Sequence, residues 1–166
     1  EHQPSGLIWN LDNWIYVTYQ NTRYRFTNGE FKTGKLPRGG GQWGLTADDD
    51  GRIYYSTGGG ENPAFFFQQP PVYGMFDVSG QTEANFRTVF PIAPVPDVQG
   101  GRRRVGPNGG LNAFTGCAGQ GIFRGDRLPK ELYGDLFIPE PVGRLIRRAK
   151  VDRKDGMTVL SNATPG

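Results

Sequence analysis

Few side chains in this 166-residue sequence belong to the types that most often carry out chemistry. The sequence contains one histidine, His2, and one cysteine, Cys117. A single cysteine cannot form an internal disulfide, and together the two residues cannot supply the four ligands of a Cys₄ or Cys₂His₂ zinc site. His2 is the only side chain whose ordinary pKa suits proton transfer near neutral pH. We therefore expect no metal site built from Cys and His and, without a C-x-x-C-H motif, no haem site in this segment.

Two charged patterns have simple explanations that do not involve a ligand. The run Asp48-Asp49-Asp50-Gly51 suggests Ca²⁺ binding, but no Glu follows at the spacing of an EF-hand loop. Asp-Gly is a typical hairpin turn, which accounts for the same residues. The arginine runs at 102–104 and 144–148 are short, and the formal net charge is only +3. A nucleic-acid-binding surface usually carries a longer basic stripe, so we expect no nucleic acid partner.

The overall composition predicts an all-β fold. The sequence has 26 Gly and 13 Pro, together with 11 Phe, 7 Tyr and 3 Trp. Because disordered chains are poor in aromatic residues, this chain is expected to fold. No stretch of about 18 uncharged apolar residues is present, so no segment is expected to span a membrane. Frequent Gly and Pro with few helix formers are typical of short strands joined by turns.

An internal repeat makes this prediction more specific. Gly6–Tyr16 aligns with Gly44–Tyr54 at an offset of 38 residues, and Gly, Leu, Asp, Ile and Tyr coincide. Each copy reads as a strand, a turn containing Asp, and a second strand. A repeat of about 40 residues with hairpins inside each unit is typical of β-propeller blades. The alternative is two unrelated hairpins in another all-β fold such as a sandwich.

The chain is predicted to form part of one propeller domain over 1–166, with blades near 1–38, 39–110 and 111–166. The second blade contains a long insertion rich in proline, with strands predicted at Val72–Asp77 and Phe86–Phe90. A propeller closes with at least about four blades, so two to three four-stranded blades cannot form a ring. We therefore expect a larger ring, of six or seven blades, whose remaining blades belong to the same or a neighbouring chain.

Several motifs carry a resemblance to a known family. They are the opening Glu1–Leu7, the segments Leu11–Tyr16 and Gly40–Thr46, and the long stretch from Thr115 to Arg148. Together they cover about half of the chain. This pattern resembles the propeller of membrane-bound or haem-linked dehydrogenases in the group of soluble quinoprotein glucose and sorbosone dehydrogenases.

The resemblance implies a function and a set of site residues. Enzymes of the wider group oxidise a sugar or a related alcohol, with a histidine as base and with pyrroloquinoline quinone and Ca²⁺ as cofactors. His2 is then the candidate catalytic base, and Arg124, Asp126, Arg127 and Glu140 are the candidates for cofactor binding. Two other roles stay open: the Arg-Asp-Arg group can join neighbouring blades through ion pairs, and Glu140 can bind a cation or cap a loop.

The resemblance also implies partners and a compartment. Electrons would pass to a c-type cytochrome, and the protein would be periplasmic or secreted. A second hypothesis is a non-catalytic propeller that acts as a scaffold or docking subunit of a larger redox or membrane complex. Propellers serve both purposes, so the fold alone cannot distinguish the two.

Overall fold

The computed structural model describes residues 3–36, 43–56, 64–67, 104–107, 109, 117–154 and 157–163. In these ranges the strands form three antiparallel sheets, none of them closed, and the helical element between strands is a short 3₁₀ turn at Lys130–Leu132. Among the described residues, no helix is long and apolar enough to cross a membrane. The predicted all-β fold, that of a partial β-propeller, is confirmed.

Each sheet is a meander in which strands follow one another in sequence order. Blade 1 contains β1 (Ile8–Trp9), β2 (Ile15–Tyr16), β3 (Thr22–Thr27) and β4 (Glu30–Lys35). Blade 2 contains β5 (Leu45–Ala47), β6 (Ile53–Ser56) and β7 (Ala64–Phe67). Blade 3 contains β8 (Gly121–Ile122), β9 (Leu136–Glu140), β10 (Leu145–Lys154) and β11 (Met157–Asn162).

The first hairpins of blades 1 and 2 share one strand register. Ile8 lies opposite Tyr16 in blade 1, and the residues 38 positions later, Thr46 and Tyr54, lie opposite each other in blade 2. The sequence repeat is therefore a structural repeat of the inner hairpin.

Turn residues explain why these hairpins form where they do. Asn13 and Gly51, which are equivalent in the repeat, both have positive φ angles, of 63° and 77°. Asn28 and Gly29, between β3 and β4, have φ angles of 51° and 78°. Two successive residues with positive φ define the type I′ turn, whose twist matches that of the flanking strands, and Asn-Gly is its preferred sequence.

The short first strands of the three blades lie side by side, β1 against β5 and β5 against β8. This is the arrangement expected around the axis of a propeller, where the innermost strand of each blade faces the centre.

Blade 2 packs between the other two blades. On one side Ile53 and Tyr55 pack with Tyr16 and Leu36 of blade 1. On the other side Tyr54 packs into a larger cluster that contains Leu136 and other buried residues of blade 3. Because successive side chains of a strand point to opposite faces, Ile53 and Tyr55 of β6 pack in one core and Tyr54, between them, packs in the other.

The two end blades each leave large apolar side chains exposed on a sheet face that no described residue covers. In blade 1, the side chains of Trp9, Phe26 and Phe31 are 76%, 67% and 66% exposed. In blade 3, Ile146 is 67% exposed. Sheet faces of this kind normally pack against another layer, so the exposed faces are the sides on which further elements would be expected.

One strand was not anticipated from the sequence. The run Ala64–Phe67 forms β7 by pairing with β6. The sequence did not predict this strand, because a short apolar run without alternation can belong to a strand or to another structure. The predicted strands at Val72–Asp77 and Phe86–Phe90 lie outside the described residues.

Candidate functional site

The densest group of charged side chains surrounds the turn between β5 and β6, residues Asp48–Gly51, called here the acidic turn. The Asp48 side chain accepts backbone hydrogen bonds from Asp50 at 3.0 Å and from Arg52 at 2.8 Å. Aspartate favours such turns because its carboxylate can accept a hydrogen bond from the backbone N–H two residues further along the chain. One oxygen of Asp48, Oδ1, thus stabilises the turn, and the other, Oδ2, contacts residues outside the turn.

The second oxygen of Asp48 binds a buried tyrosine. Tyr54 Oη donates a 2.8 Å hydrogen bond to Asp48 Oδ2, and the tyrosine side chain is fully buried. Burial, and after it the nearby negative charge of Asp48, raises the pKa of Tyr54 to about 12. The phenol therefore stays protonated at neutral pH and acts as a hydrogen-bond donor, not as a base.

Arg153, on β10 of blade 3, reaches across to this pair. Its guanidinium binds the carboxylate of Asp48, lies 3.1 Å from Asp50 Oδ2 and lies 3.4 Å from Tyr54 Oη. A further contact of 3.0 Å, to Thr158 Oγ1, fixes the guanidinium within its own blade. The side chain of Asp48 is 9% exposed, so this ion pair is shielded from water more than a surface pair would be.

Arg124, which follows β8, holds the remaining aspartate of the acidic turn. Its Nε donates to the carboxylate of Asp49 and its Nη2 donates to the carbonyl of Ala47. Arg124 and Arg153, called here the arginine clamp, therefore join blade 3 to the acidic turn of blade 2. All three aspartates of the turn have an arginine partner from the neighbouring blade.

Polar contacts between the backbones and side chains of neighbouring blades complete the joints. Ile122 N donates to Thr46 Oγ1 at 3.3 Å, and the amide of Gln120 donates to the carbonyl of Gly44. Between blades 1 and 2, Asn10 Nδ2 donates a buried 2.7 Å hydrogen bond to the carbonyl of Gly51. Buried polar atoms are costly unless they are paired, so these contacts fix the relative position of the blades.

Blade 1 contains a related cluster, but its arginine comes from the same sheet. Tyr16 Oη donates to Asp12 Oδ2 at 2.7 Å, and Arg23 Nη1 lies 3.1 Å from each of these two atoms. Mainly because of burial, and also because of the hydrogen bond to Asp12, the pKa of Tyr16 lies well above its ordinary value. The guanidinium groups of Arg23 and Arg25 lie 4.4 Å and 4.5 Å from the ring centre of Trp14, within cation–π range.

Glu140 occupies the other end of blade 3. It is the last residue of β9 and is 1% exposed. Its carboxylate accepts a hydrogen bond from the backbone of Gly143, so it caps the turn that leads into β10. The same residue borders an open cleft of about 570 Å³, with Pro139, Arg144 and Ile146 among the other lining residues.

The buried thiol of Cys117 lies near Glu140. Burial, followed by the negative charge of Glu140, raises the pKa of Cys117 to about 12. A thiol with such a pKa is almost wholly protonated at neutral pH and is a poor nucleophile. Cys117 is therefore a small buried side chain of the blade 3 core.

The structure does not bring the described candidate residues together. Because β8 pairs with the first residues of β9, Arg124 lies near the start of that strand while Glu140 is its last residue. Asp126 and Arg127 are exposed, and no hydrogen bond or ion pair joins them to another residue that the structure describes. His2 lies outside the described residues. The cofactor-binding and catalytic roles of these residues stay predictions.

Three residues of the charged cluster were not identified as a site from the sequence: Arg153, Asp48 and Tyr54. The repeat does mark Tyr54, because it is equivalent to Tyr16, and turn chemistry explains why Asp precedes Gly51. No local pattern indicates that Arg153 binds them, since it is 105 residues away from Asp48. Among the described residues, no group of three or more His, Cys, Asp or Glu side chains could hold a metal ion.

Fold and charged cluster together define an all-β protein with the arrangement of a partial β-propeller, in which arginine–aspartate pairs join blades 2 and 3. Residues 1–164 match the family described as a domain of unknown function, DUF7133, and the chain belongs to that family. A search of curated proteins and a search of solved structures each returned no match.

Proposed function

We propose that this chain forms part of the wall of a β-propeller related to the quinoprotein sugar and sorbosone dehydrogenases, and that the described blades act as its framework. The observation that carries the proposal is the arginine clamp on the acidic turn. Arg124 was one of the candidates for cofactor binding, and it is engaged with Asp49 and with the carbonyl of Ala47. Its geometry supports a role in joining blades.

Packing supports the framework role independently of charge. Blade 2 is buried on both faces, with Ile53 and Tyr54, adjacent in sequence, at 1% and 0% exposure. Two cores on opposite sides of one sheet, with polar contacts across both joints, restrict sliding between blades. Such a unit is suited to hold loops or a partner in fixed positions. In this proposal the protein binds a c-type cytochrome or a membrane complex, and it is located in the periplasm or is secreted.

The second candidate function is oxidation of a sugar or another alcohol. Its support is the sequence resemblance, above all the opening motif, in which His2 lies four residues before Gly6. Gly6 lies beside Gly44 at the start of the innermost strands, which is where a channel-facing base would have to be. Because Arg124 and Glu140 lie at opposite ends of blade 3, the described candidates do not form a common pocket for pyrroloquinoline quinone and Ca²⁺. No catalytic step is therefore assigned to them.

Binding and activity measurements distinguish the two functions. The purified protein is titrated with pyrroloquinoline quinone in the presence and absence of Ca²⁺, and dye reduction is followed with a panel of sugars. On the framework proposal, no sugar supports dye reduction. Arg124→Gln should lower the melting temperature without changing any cofactor affinity, whereas its exposed neighbour Arg127→Gln, the matched control, should leave the melting temperature unchanged.

The opposite pattern would establish the catalytic alternative. Sugar-dependent dye reduction that falls by about a hundredfold or more in His2→Ala, the usual scale for loss of a general base, would overturn the framework proposal. A loss of cofactor affinity in Arg124→Gln with an unchanged melting temperature would do the same.

A further inference from the structure

Arg25, on the outer strand β3 of blade 1, carries a charge that no described residue neutralises. Its guanidinium lies 4.5 Å from the ring centre of Trp14, but no hydrogen bond or ion pair joins it to another residue that the structure describes. Its Nε atom is buried and has no hydrogen-bond partner. A buried donor without a partner costs about 1–3 kcal/mol. Such a group calls for a specific explanation, and a bound ion is one of the usual ones.

The indole of Trp14 holds this guanidinium in place. Arg23, two residues earlier on β3, lies 4.4 Å from the same ring centre and is anchored by Asp12 at 3.1 Å. Gly34 leaves room for the group, because a Cβ atom there would lie 3.2 Å from Trp14 Cη2 and 3.0 Å from Arg23 Nε. Stacking on an aromatic ring fixes the plane of a guanidinium and leaves the donors at its edge available. Arg25 is therefore preorganised, which lowers the entropy cost of binding a ligand.

A second cation stands beside Arg25. Lys32 of β4 is its direct cross-strand partner, so both side chains project from the same face of the sheet, where like charges repel. The carboxylate of Glu30 lies 3.7 Å from Lys32 Nζ, and its side chain is 72% exposed. An exposed pair of this length contributes little. An anion shared by Arg25 and Lys32 would therefore stabilise this part of the hairpin.

The two cations suit a phosphate group better than a carboxylate. Arginine offers a planar fork of donors that can bind two oxygens at once, and lysine adds a compact charge. A phosphate monoester carries a charge of about −1.5 to −2 at pH 7 and has three acceptor oxygens. It can thus neutralise both side chains, whereas a carboxylate has one charge and would leave one cation without a partner.

We propose that Arg25 and Lys32 form a binding site for a phosphate group, with Trp14 as the platform that positions Arg25. The site lies on the outer strands of blade 1, and blade 2 lies between it and the candidate residues Arg124 and Glu140 of blade 3. It is therefore separate from the predicted cofactor-binding residues. It depends neither on the framework role nor on oxidation of an alcohol.

Modification of arginine by phenylglyoxal tests the site in the purified wild-type protein. The reagent attacks accessible guanidinium groups, and peptide mass spectrometry measures the rate at each arginine separately. Phosphate at about ten times its Kd should slow the modification of Arg25 about tenfold, because an occupied site is protected. Arg127 is the internal control, since it is exposed and no hydrogen bond or ion pair joins it to another described residue. Its rate should stay the same. Sodium chloride at equal ionic strength controls for screening.

Melting temperatures give a second readout that does not require Arg25 to react. A ligand that binds only the folded protein stabilises it, so inorganic phosphate should raise the melting temperature above that in sodium chloride. Arg25→Gln and Lys32→Gln should each lose most of this increase. Arg127→Gln, the matched control, should retain it.

The outcomes separate a site from a general salt effect. Equal protection of Arg25 and Arg127 would overturn the proposal, as would a phosphate effect on the melting temperature that is absent or is the same in Arg25→Gln. Protection by acetate as strong as that by phosphate would also overturn it, because a carboxylate would then suffice.

A comparison of inorganic phosphate with glucose 6-phosphate identifies the source of the phosphate group. Equal protection of Arg25 supports a site that recognises the phosphate group alone. Stronger protection by the ester, with no protection by glucose, supports a site for a phosphorylated ligand. These assays contain neither quinone nor Ca²⁺, so failure of the phosphate site is distinguishable from failure of the framework proposal.

Discussion

The hydroxyl of Tyr54 donates a 2.8 Å hydrogen bond to the side chain of Asp48 at the joint between blades 2 and 3. A similar hydrogen bond joins Tyr16 and Asp12 in blade 1, at 2.7 Å, although Asp12 is equivalent in the repeat to Asp50 and not to Asp48. In each case a buried phenol holds the carboxylate of a hairpin turn, and an arginine completes the group. The pairs differ in the origin of that arginine, which comes from the neighbouring blade only in the case of Tyr54.

Loss of the Tyr54 hydroxyl should destabilise the protein by about 1 kcal/mol, the usual net value of one hydrogen bond. Tyr54→Phe keeps the ring in its core and removes only the donor to Asp48. Tyr16→Phe should have a similar effect, because the two positions are equivalent. The free energy of unfolding in urea measures both, and Tyr133→Phe, at an exposed tyrosine, is the control. An unchanged stability in Tyr54→Phe would show that the hydrogen bond contributes nothing to the joint.

Removal of the Arg153 guanidinium should have a larger effect, about 2 kcal/mol, because it leaves a poorly solvated carboxylate without its charged partner. Arg153→Met retains much of the aliphatic packing, and the double variant with Asp48→Asn measures the coupling energy between the two side chains. Lys32→Met is the matched control. It removes a pair with Glu30 that is 3.7 Å long and exposed, and exposed pairs contribute little. Equal effects of Arg153→Met and Lys32→Met would contradict the clamp.

Stability should decrease at alkaline pH. The pKa values of Cys117 and Tyr54 are both raised to about 12 in the folded protein, from ordinary values of 9.0 and 10.0. Between the two values of each group, the unfolded chain has lost a proton that the folded protein keeps, so the free energy of unfolding falls as pH rises. The stabilising contribution is complete below about pH 9 and is lost progressively towards pH 12.

Urea unfolding between pH 8 and pH 11 tests this dependence. Cys117→Ala should reduce the slope above pH 9, where one group contributes at most about 1.4 kcal/mol per pH unit. Tyr54→Phe should reduce it only above pH 10. If both variants retain the full slope, the groups responsible lie elsewhere in the chain.

The isolated 166-residue chain should associate through its uncovered faces. Trp9, Phe26 and Phe31 are exposed on blade 1 and Ile146 is exposed on blade 3, and large apolar patches next to open sheet edges favour self-association. Light scattering should show a mass that rises with concentration. Because Phe26 and Phe31 lie opposite each other, the double variant Phe26→Lys with Phe31→Glu should reduce association while it keeps the hairpin. A sharp, reversible melt of a monomer would contradict this prediction.

Local turn chemistry and the repeat were sufficient to predict the inner hairpins and the all-β fold. Asn28-Gly29, and Gly51 after Asp50, determine where strands reverse, since Asn and Gly adopt the positive φ angles found there at low cost. The 38-residue offset predicted the equivalence of Tyr16 and Tyr54, which the shared register confirms. β7 escaped prediction because an apolar run of four residues has no period to distinguish a strand from other structures.

The charged joint depended on tertiary structure. Arg124 is 75 residues from Asp49, and Arg153 is 105 residues from Asp48. The sequence alone determined that Arg124 and the acidic turn lie at the ends of strands, and it suggested that Arg124 could join blades, but no periodicity states which carboxylate an arginine will meet. That choice is made when blade 3 packs against blade 2, because burial of Tyr54 and Leu136 in one core sets the distance between β6 and β10. Only in the packed structure do the guanidinium groups of Arg124 and Arg153 reach the acidic turn. These long-range ion pairs depend on apolar packing between blades, which no single segment of the sequence encodes.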